Sequence, residues 1–220
     1  MNLTDTLLPT DLLFFANFIW LPVLLQAFRR APWRLFLADR KRQHVFLGAS
    51  VALFFMWIFE AGIRPALGFH FLGVTVYTLM FGWSLATIGV SLIAVAVALT
   101  SGDWAALATN ALVLGVLPVA TSYGVYRLVY CYLPRHLFVY IFLCAFLNGM
   151  LAAAAAVLAL VTLLVFTEAY AFTRISSEYL PFVPLYVFPE GMLNGMLTTV
   201  LIVLQPDWLK TYDDAIYLRN

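Results

Sequence analysis

Charge is what this sequence lacks most. Of 220 residues only 10% are Asp, Glu, Lys or Arg, against about 25% in an ordinary soluble domain. Hydrophobic residues make up 64% and mean hydropathy is +0.95. A globular fold of this size leaves much of its surface exposed, so that composition requires lipid as the solvent and defines an integral membrane protein. The net charge of +1 excludes the basic footprint of a nucleic-acid binder. Cysteine is scarce too: Cys131 and Cys144 form no CxxC pair and read as free thiols packed like small apolar groups. Walker A, HExxH and GxSxG patterns are all missing, which excludes a P-loop ATPase, a zincin peptidase and an α/β-hydrolase. The start, MNLTDTLLPTDLLFF, lacks the basic n-region of a signal peptide, so the first apolar segment is expected to stay as a helix.

What is present is a series of long apolar runs. About 20 helical residues cross the hydrocarbon. Runs at 11–28, 45–63, 104–129, 137–166 and 180–204 satisfy that, with Asp11 and Asp103 as expected N-caps. The stretch 68–100 is too long for one ordinary span and short for two, and Gly82 interrupts it. Charge sets the parity. The 29–42 loop holds Arg29, Arg30, Arg34, Arg40, Lys41 and Arg42 against Asp39 alone, which makes it cytoplasmic. If 68–100 enters and returns, every one of the twelve basic residues except Arg64 and Arg174 falls on that same side. The expectation is an all-α, polytopic membrane helix bundle of about seven segments, including a short hairpin at 68–100. It is N-out and C-in, with residues 1–220 forming one transmembrane domain. Trp33, Trp57, Trp104 and Trp208 fall near the expected boundaries, where amphipathic rings sit.

Ionisable groups are costly in lipid and each invites a functional reading. Glu60 and Arg64 stand at i, i+4 and can pair on one helix face. His70 opens the hairpin on the same side, and Asn110 and Glu190 lie in the outer halves of their segments. Together they suggest an outward polar pocket for a small ligand or cation. The alternative is an ion pair, a wet loop histidine and a surface glutamate. In PEGMLNGMLTT, Glu190, Asn194 and Thr198 form a polar stripe beside a Gly191–Gly195 GxxxG that admits a neighbouring helix. Asn194 and Asn148 can also serve simply as interhelical hydrogen bonds.

The segments GFHFLGVTVYTLMFG, TNALVLGVLPVATSYGVYRL and PEGMLNGMLTTVLIV, in that order, resemble the CbiM-type membrane subunits of energy-coupling-factor ABC transporters, the cobalt and nickel uptake family. The likeness runs roughly from residue 60 to 204. It implies a subunit that captures a divalent transition metal from outside, with a separate transmembrane coupling subunit and ABC ATPases supplying energy. It places the protein in the plasma (inner) membrane as a multi-pass permease, not an enzyme, with no permanently bound cofactor and the metal as cargo. By the resemblance His70 is the hairpin histidine, Asn110 the asparagine of the following helix, and Asn194 replaces a glutamate. The family's metal site combines the N-terminal amine, a histidine at position two and the hairpin histidine. Here position two is Asn2, and the first eleven residues hold no histidine. The expected metal ligands are therefore His70, Glu60 and Glu190, with Asp5 and Asp11 as further oxygen donors. Asn110, Arg64 and Asn194 are the expected substrate-binding residues. Two rivals remain: an accessory or structural membrane protein that kept the fold without transport, and an intramembrane enzyme using His70 with Glu60.

Overall fold

The computed structural model describes residues 1–218, so Arg219, counted above among the cytoplasmic charges, lies outside the described residues. Helix α1 (Thr10–Arg30) leads through α2 (Trp33–Ala38) into α3 (Arg40–Ile58). A two-stranded antiparallel hairpin follows, β1 (Ala61–Arg64) with β2 (Leu67–Phe69). Then come α4 (Val74–Ser101), α5 (Leu107–Asn110), α6 (Leu117–Tyr132), α7 (Leu137–Val139), α8 (Asn148–Phe166), α9 (Phe172–Glu178), α10 (Val183–Leu204) and α11 (Asp214–Tyr217). Wide π turns at Ala111–Val116 and Tyr140–Leu147 join α5 to α6 and α7 to α8. Among the described residues five helical stretches are long and apolar enough to cross a membrane: Thr10–Arg30, Val74–Ser101, Leu107–Tyr132, Leu137–Phe166 and Phe172–Leu204. Helix α3 is of similar length, but its first turn carries Arg40, Lys41 and Arg42.

The hairpin expected at 68–100 is present as the two arms of α4. Gly82 sits at φ 73°, ψ 166°, a region open essentially to glycine alone, and helix cannot continue through it. Tyr77 and Gly89 would lie ~18 Å apart on a straight helix. Instead the Tyr77 hydroxyl occupies the space where a Gly89 side chain would begin, so the chain doubles back. The arms are unequal. Residues 74–81 rise about 12 Å and residues 83–101 about 28 Å. The first arm is buried throughout and most of the second arm is buried too, and α1, α3, α6, α8 and α10 surround them. The bundle's outward faces carry Phe14, Phe15, Phe18, Leu158 and Val203, all exposed, as a lipid-facing surface demands.

A half-length helix inside a membrane leaves its terminal amides and carbonyls without intrahelical partners, and lipid offers none. Here both ends are covered. Both carboxylate oxygens of Glu190 accept from backbone amides, Leu72 at 2.9 Å and Gly73 at 2.8 Å. Asn194 Oδ1 accepts from Val76 at 2.8 Å, and its Nδ2 donates back to Glu190. At the other end the Lys210 and Thr211 amides donate to the carbonyls of Met80 and Leu79. The Thr211 hydroxyl donates again to Leu79 at 2.9 Å. The GxxxG works as its spacing implies. A Cβ on Gly191 would stand 2.8 Å from the Phe146 carbonyl, and one on Gly195 3.1 Å from the Phe146 side chain.

Several sequence expectations are corrected. Helix α3 begins at Arg40, capped by Asp39 through the Arg42 amide, and stops at Ile58 rather than running to 63. Glu60 is therefore in a loop and Arg64 on a strand, so they share no helix face. Arg64 pairs with Glu178 at 2.8 Å, and Arg174 reaches the same carboxylate at 3.8 Å. Helix α1 has no side-chain cap, with Asp11 inside its first turn. Asp103 accepts from the Asp5 amide, while Asp5 covers the amides of Ala105 and Ala106. Cys131 is exposed and Cys144 buried, both as free thiols.

Candidate metal centre

At the end of the bundle that the charge pattern assigns to the outside, the N-terminal segment threads inward. Asn110 holds it as a β-strand partner would. Its Oδ1 accepts from the Leu3 amide at 2.8 Å and its Nδ2 donates to the Leu3 carbonyl at 2.9 Å. Asn110 is the last residue of α5, just before the π turn, a local widening often found at functional positions. Asn2 Nδ2 donates to the Trp57 carbonyl at 3.3 Å, and Met1 and Leu3 are fully buried. The Met1 amino group ends 2.6 Å from Glu60 Oε1. Gly68 of β2 leaves the room Glu60 needs, because a side chain there would overlap the carboxylate.

His70 lies in the turn between β2 and α4, 3% exposed. Its ring sits 5.8 Å from that of Trp57, whose Nε1 donates to the Leu72 carbonyl at 3.1 Å and fixes the turn. His70 Nδ1 faces the Phe71 carbonyl at 3.3 Å, which requires the proton on Nδ1 and leaves the Nε2 lone pair free. Nε2 is buried and has no partner. Burial, joined by the positive charge of the Met1 amino group, pushes the His70 pKa down to about 3. Burial also pushes the Met1 amine down from 8.0 to about 6, although Glu60 pulls the other way. Desolvation of a cation outweighs one close carboxylate here. Near neutral pH the site therefore presents two uncharged nitrogen donors beside an acid, a set suited to nickel, cobalt or zinc.

The structure thus brings together His70, Glu60 and Asn110 from the sequence-derived set. Glu190 and Asn194 are fully engaged at the start of α4, and Arg64 points to Glu178. Asp5 caps the turn before α5. Nothing local in the chain marks the Met1–Glu60 contact, which spans 59 positions. Trp57, expected at a membrane boundary, is 1% exposed inside the site. Among the described residues no three His, Cys, Asp or Glu side chains gather as a metal cluster.

A helix bundle of apolar spans with a broken helical hairpin at its centre defines a polytopic membrane protein. The chain belongs to the CbiM family, the cobalt uptake substrate-specific transmembrane region, whose family model matches residues 2–208. Among solved structures it is similar to a truncated transition metal transporter, at 20% identity and a TM-score of 0.77, covering 92% of this chain and 99% of that one. A second transition metal transporter structure matches at 19% identity and a TM-score of 0.74, covering 93% of both chains. At these identities the likeness is one of fold. No curated protein matches the chain.

Proposed function

We propose that this chain is the substrate-capturing membrane subunit of an energy-coupling-factor importer, and that its cargo is a divalent transition metal ion. The observation that carries this reading is the Met1 amine, delivered by Asn110 to Glu60 beside the unpartnered Nε2 of His70. His70 and the amine act as nitrogen ligands. Glu60 orients the amine and offsets the charge of the cation. The chain has no ATPase motif of its own, so a transmembrane coupling subunit and ABC ATPases in the plasma membrane drive the cycle. Asn110 holds the N-terminal segment rather than touching the cargo.

The test is binding and uptake of cobalt, nickel, zinc and manganese by the wild type and His70→Ala. Saturable binding of at least one ion, lost in His70→Ala, is the expected result. A wild type that binds none of the four ends the metal reading. Asn2 in the position of the family's histidine favours a second reading, an accessory membrane protein that kept the fold without transport. Co-purification with an ATPase and a coupling subunit counts against it.

A further inference from the structure

A cavity of about 660 Å³ opens at the inner end of the bundle, beside the tip of the α4 hairpin. Its mouth lies where membrane spans end. Lys41 and Arg42 reach it from the first turn of α3, and residues 206–214 reach it just after α10 stops at Leu204. Val203 and Leu204 are still exposed as lipid-facing side chains are, and Trp208 lines the cavity, at the depth where amphipathic rings sit.

Charges of both signs line this cavity without neutralising one another. Arg42 stands 3.8 Å from Asp39, and Lys41 donates to Gln205 at 3.3 Å. Among the described residues, Asp207, Asp213 and Asp214 have no Lys or Arg within ion-pair distance, and the Lys210 ammonium has neither an ion pair nor a hydrogen bond. That ammonium stands at the hairpin tip, where a side chain begun at Gly82 would come within 3.2 Å of Nζ. It shares a smaller void with Arg42. Partial desolvation, joined by the charge of Arg42, lowers its pKa. A purely anionic ligand would satisfy Lys210 and Arg42 but meet three aspartates, and a purely cationic one would meet Lys41, Arg42 and Lys210. Only a ligand that carries both signs complements the whole lining.

We propose that this cavity holds the headgroup of an ethanolamine phospholipid from the surrounding leaflet. The phosphate accepts from Arg42 and Lys210, both of which are phosphate donors. The headgroup ammonium donates to Asp207 and Asp214, and the acyl chains leave along Val203 and Leu204. The cavity has the volume of a small-molecule site, and its mouth between lipid-facing residues selects a lipid over a soluble zwitterion. A choline headgroup carries the same charges but has no N–H to give the carboxylates, and a glycerol headgroup has no positive charge. The site lies at the opposite end of the bundle from His70 and is independent of the metal reading.

The probe is phosphatidylethanolamine, mixed into phosphatidylcholine nanodiscs that hold the whole chain, with phosphatidylglycerol at the same fraction as the comparison. A ligand that binds the folded form raises the melting temperature. The wild type is expected to melt several degrees higher with phosphatidylethanolamine than with phosphatidylcholine alone or with phosphatidylglycerol. Lys210→Gln is expected to lose that rise, and so is the double variant Asp207→Asn, Asp214→Asn, all three being exposed positions. Asp213 is left in place because it caps α11 through the Ala215 amide. Absence of the rise in the wild type overturns the proposal. So does an equal rise with phosphatidylglycerol, which marks an ordinary anionic-lipid patch, or a rise that persists in Lys210→Gln, which marks a bulk effect of the bilayer. An equal rise from soluble phosphoethanolamine in phosphatidylcholine nanodiscs overturns the lipid as the source of the headgroup.

Discussion

A proton and a metal ion compete for the same lone pair, so the site's pH response follows from its two nitrogens. The Met1 amine titrates at about 6 and His70 at about 3. Both are neutral at pH 7, and ion affinity is expected to be flat from pH 7 to 8. Below about 6 the amine takes up a proton, and affinity should then fall by up to about tenfold per pH unit. Folding follows the same direction. The amine's folded pKa lies below its ordinary 8.0, so burying it neutral costs nothing above pH 8 and becomes increasingly unfavourable as pH falls through about 6. Titrations of cobalt binding from pH 5 to 8 check the first expectation, and an affinity that rises on acidification would contradict it. Gly68→Ala tests the geometry instead. The new methyl group must displace Glu60, and ion affinity is expected to drop about tenfold with the melting temperature little changed.

At the scale of elements, the first arm of α4 is stable only because its ends are covered by other parts of the chain. Glu190→Ala removes two acceptors at once and leaves the Leu72 and Gly73 amides bare. Each such loss costs about 1–3 kcal/mol, so thermal unfolding should drop by several degrees. Glu190→Gln keeps one oxygen and should fall in between. If Glu190 were a ligand instead of a cap, both variants would lose ion binding at unchanged stability. These caps also show what the sequence could and could not disclose. Hydropathy marks the long spans because each is a local run of apolar residues, and Gly82 marks the hairpin tip because its backbone conformation excludes other residues. The Ala105 and Ala106 amides just before α5 are capped by Asp5, and Glu60 just past α3 meets the Met1 amine, both through contacts with residues far along the chain. Glu190 and Asn194 looked like ligands because they are polar residues in lipid. Their partners are amides, which every residue but proline carries, so no sequence pattern points to them.

Over the whole molecule the same short arm joins two faces. Its start follows directly from His70 and Trp57 at the outer end. Its last carbonyls are held by Lys210 and Thr211 at the inner end, where Thr211 also bonds Tyr140 at 2.7 Å. The inner contacts therefore support the site without belonging to it, and stability and binding should separate. Thr211→Val removes a hydroxyl that donates to Leu79, at a cost of about 1 kcal/mol, and the melting temperature of the ion-free protein should fall by a few degrees. The ion's own effect depends only on its binding to the folded form. At a hundredfold excess over Kd it amounts to about 2.7 kcal/mol. Thr211→Val should therefore show the same rise in melting temperature on adding cobalt as the wild type, from a lower starting point, whereas His70→Ala should show none. Should Thr211→Val lose the cobalt-induced rise as well, the inner end of the arm would be coupled to the site, and the ion would be bound only by the form in which both ends are held.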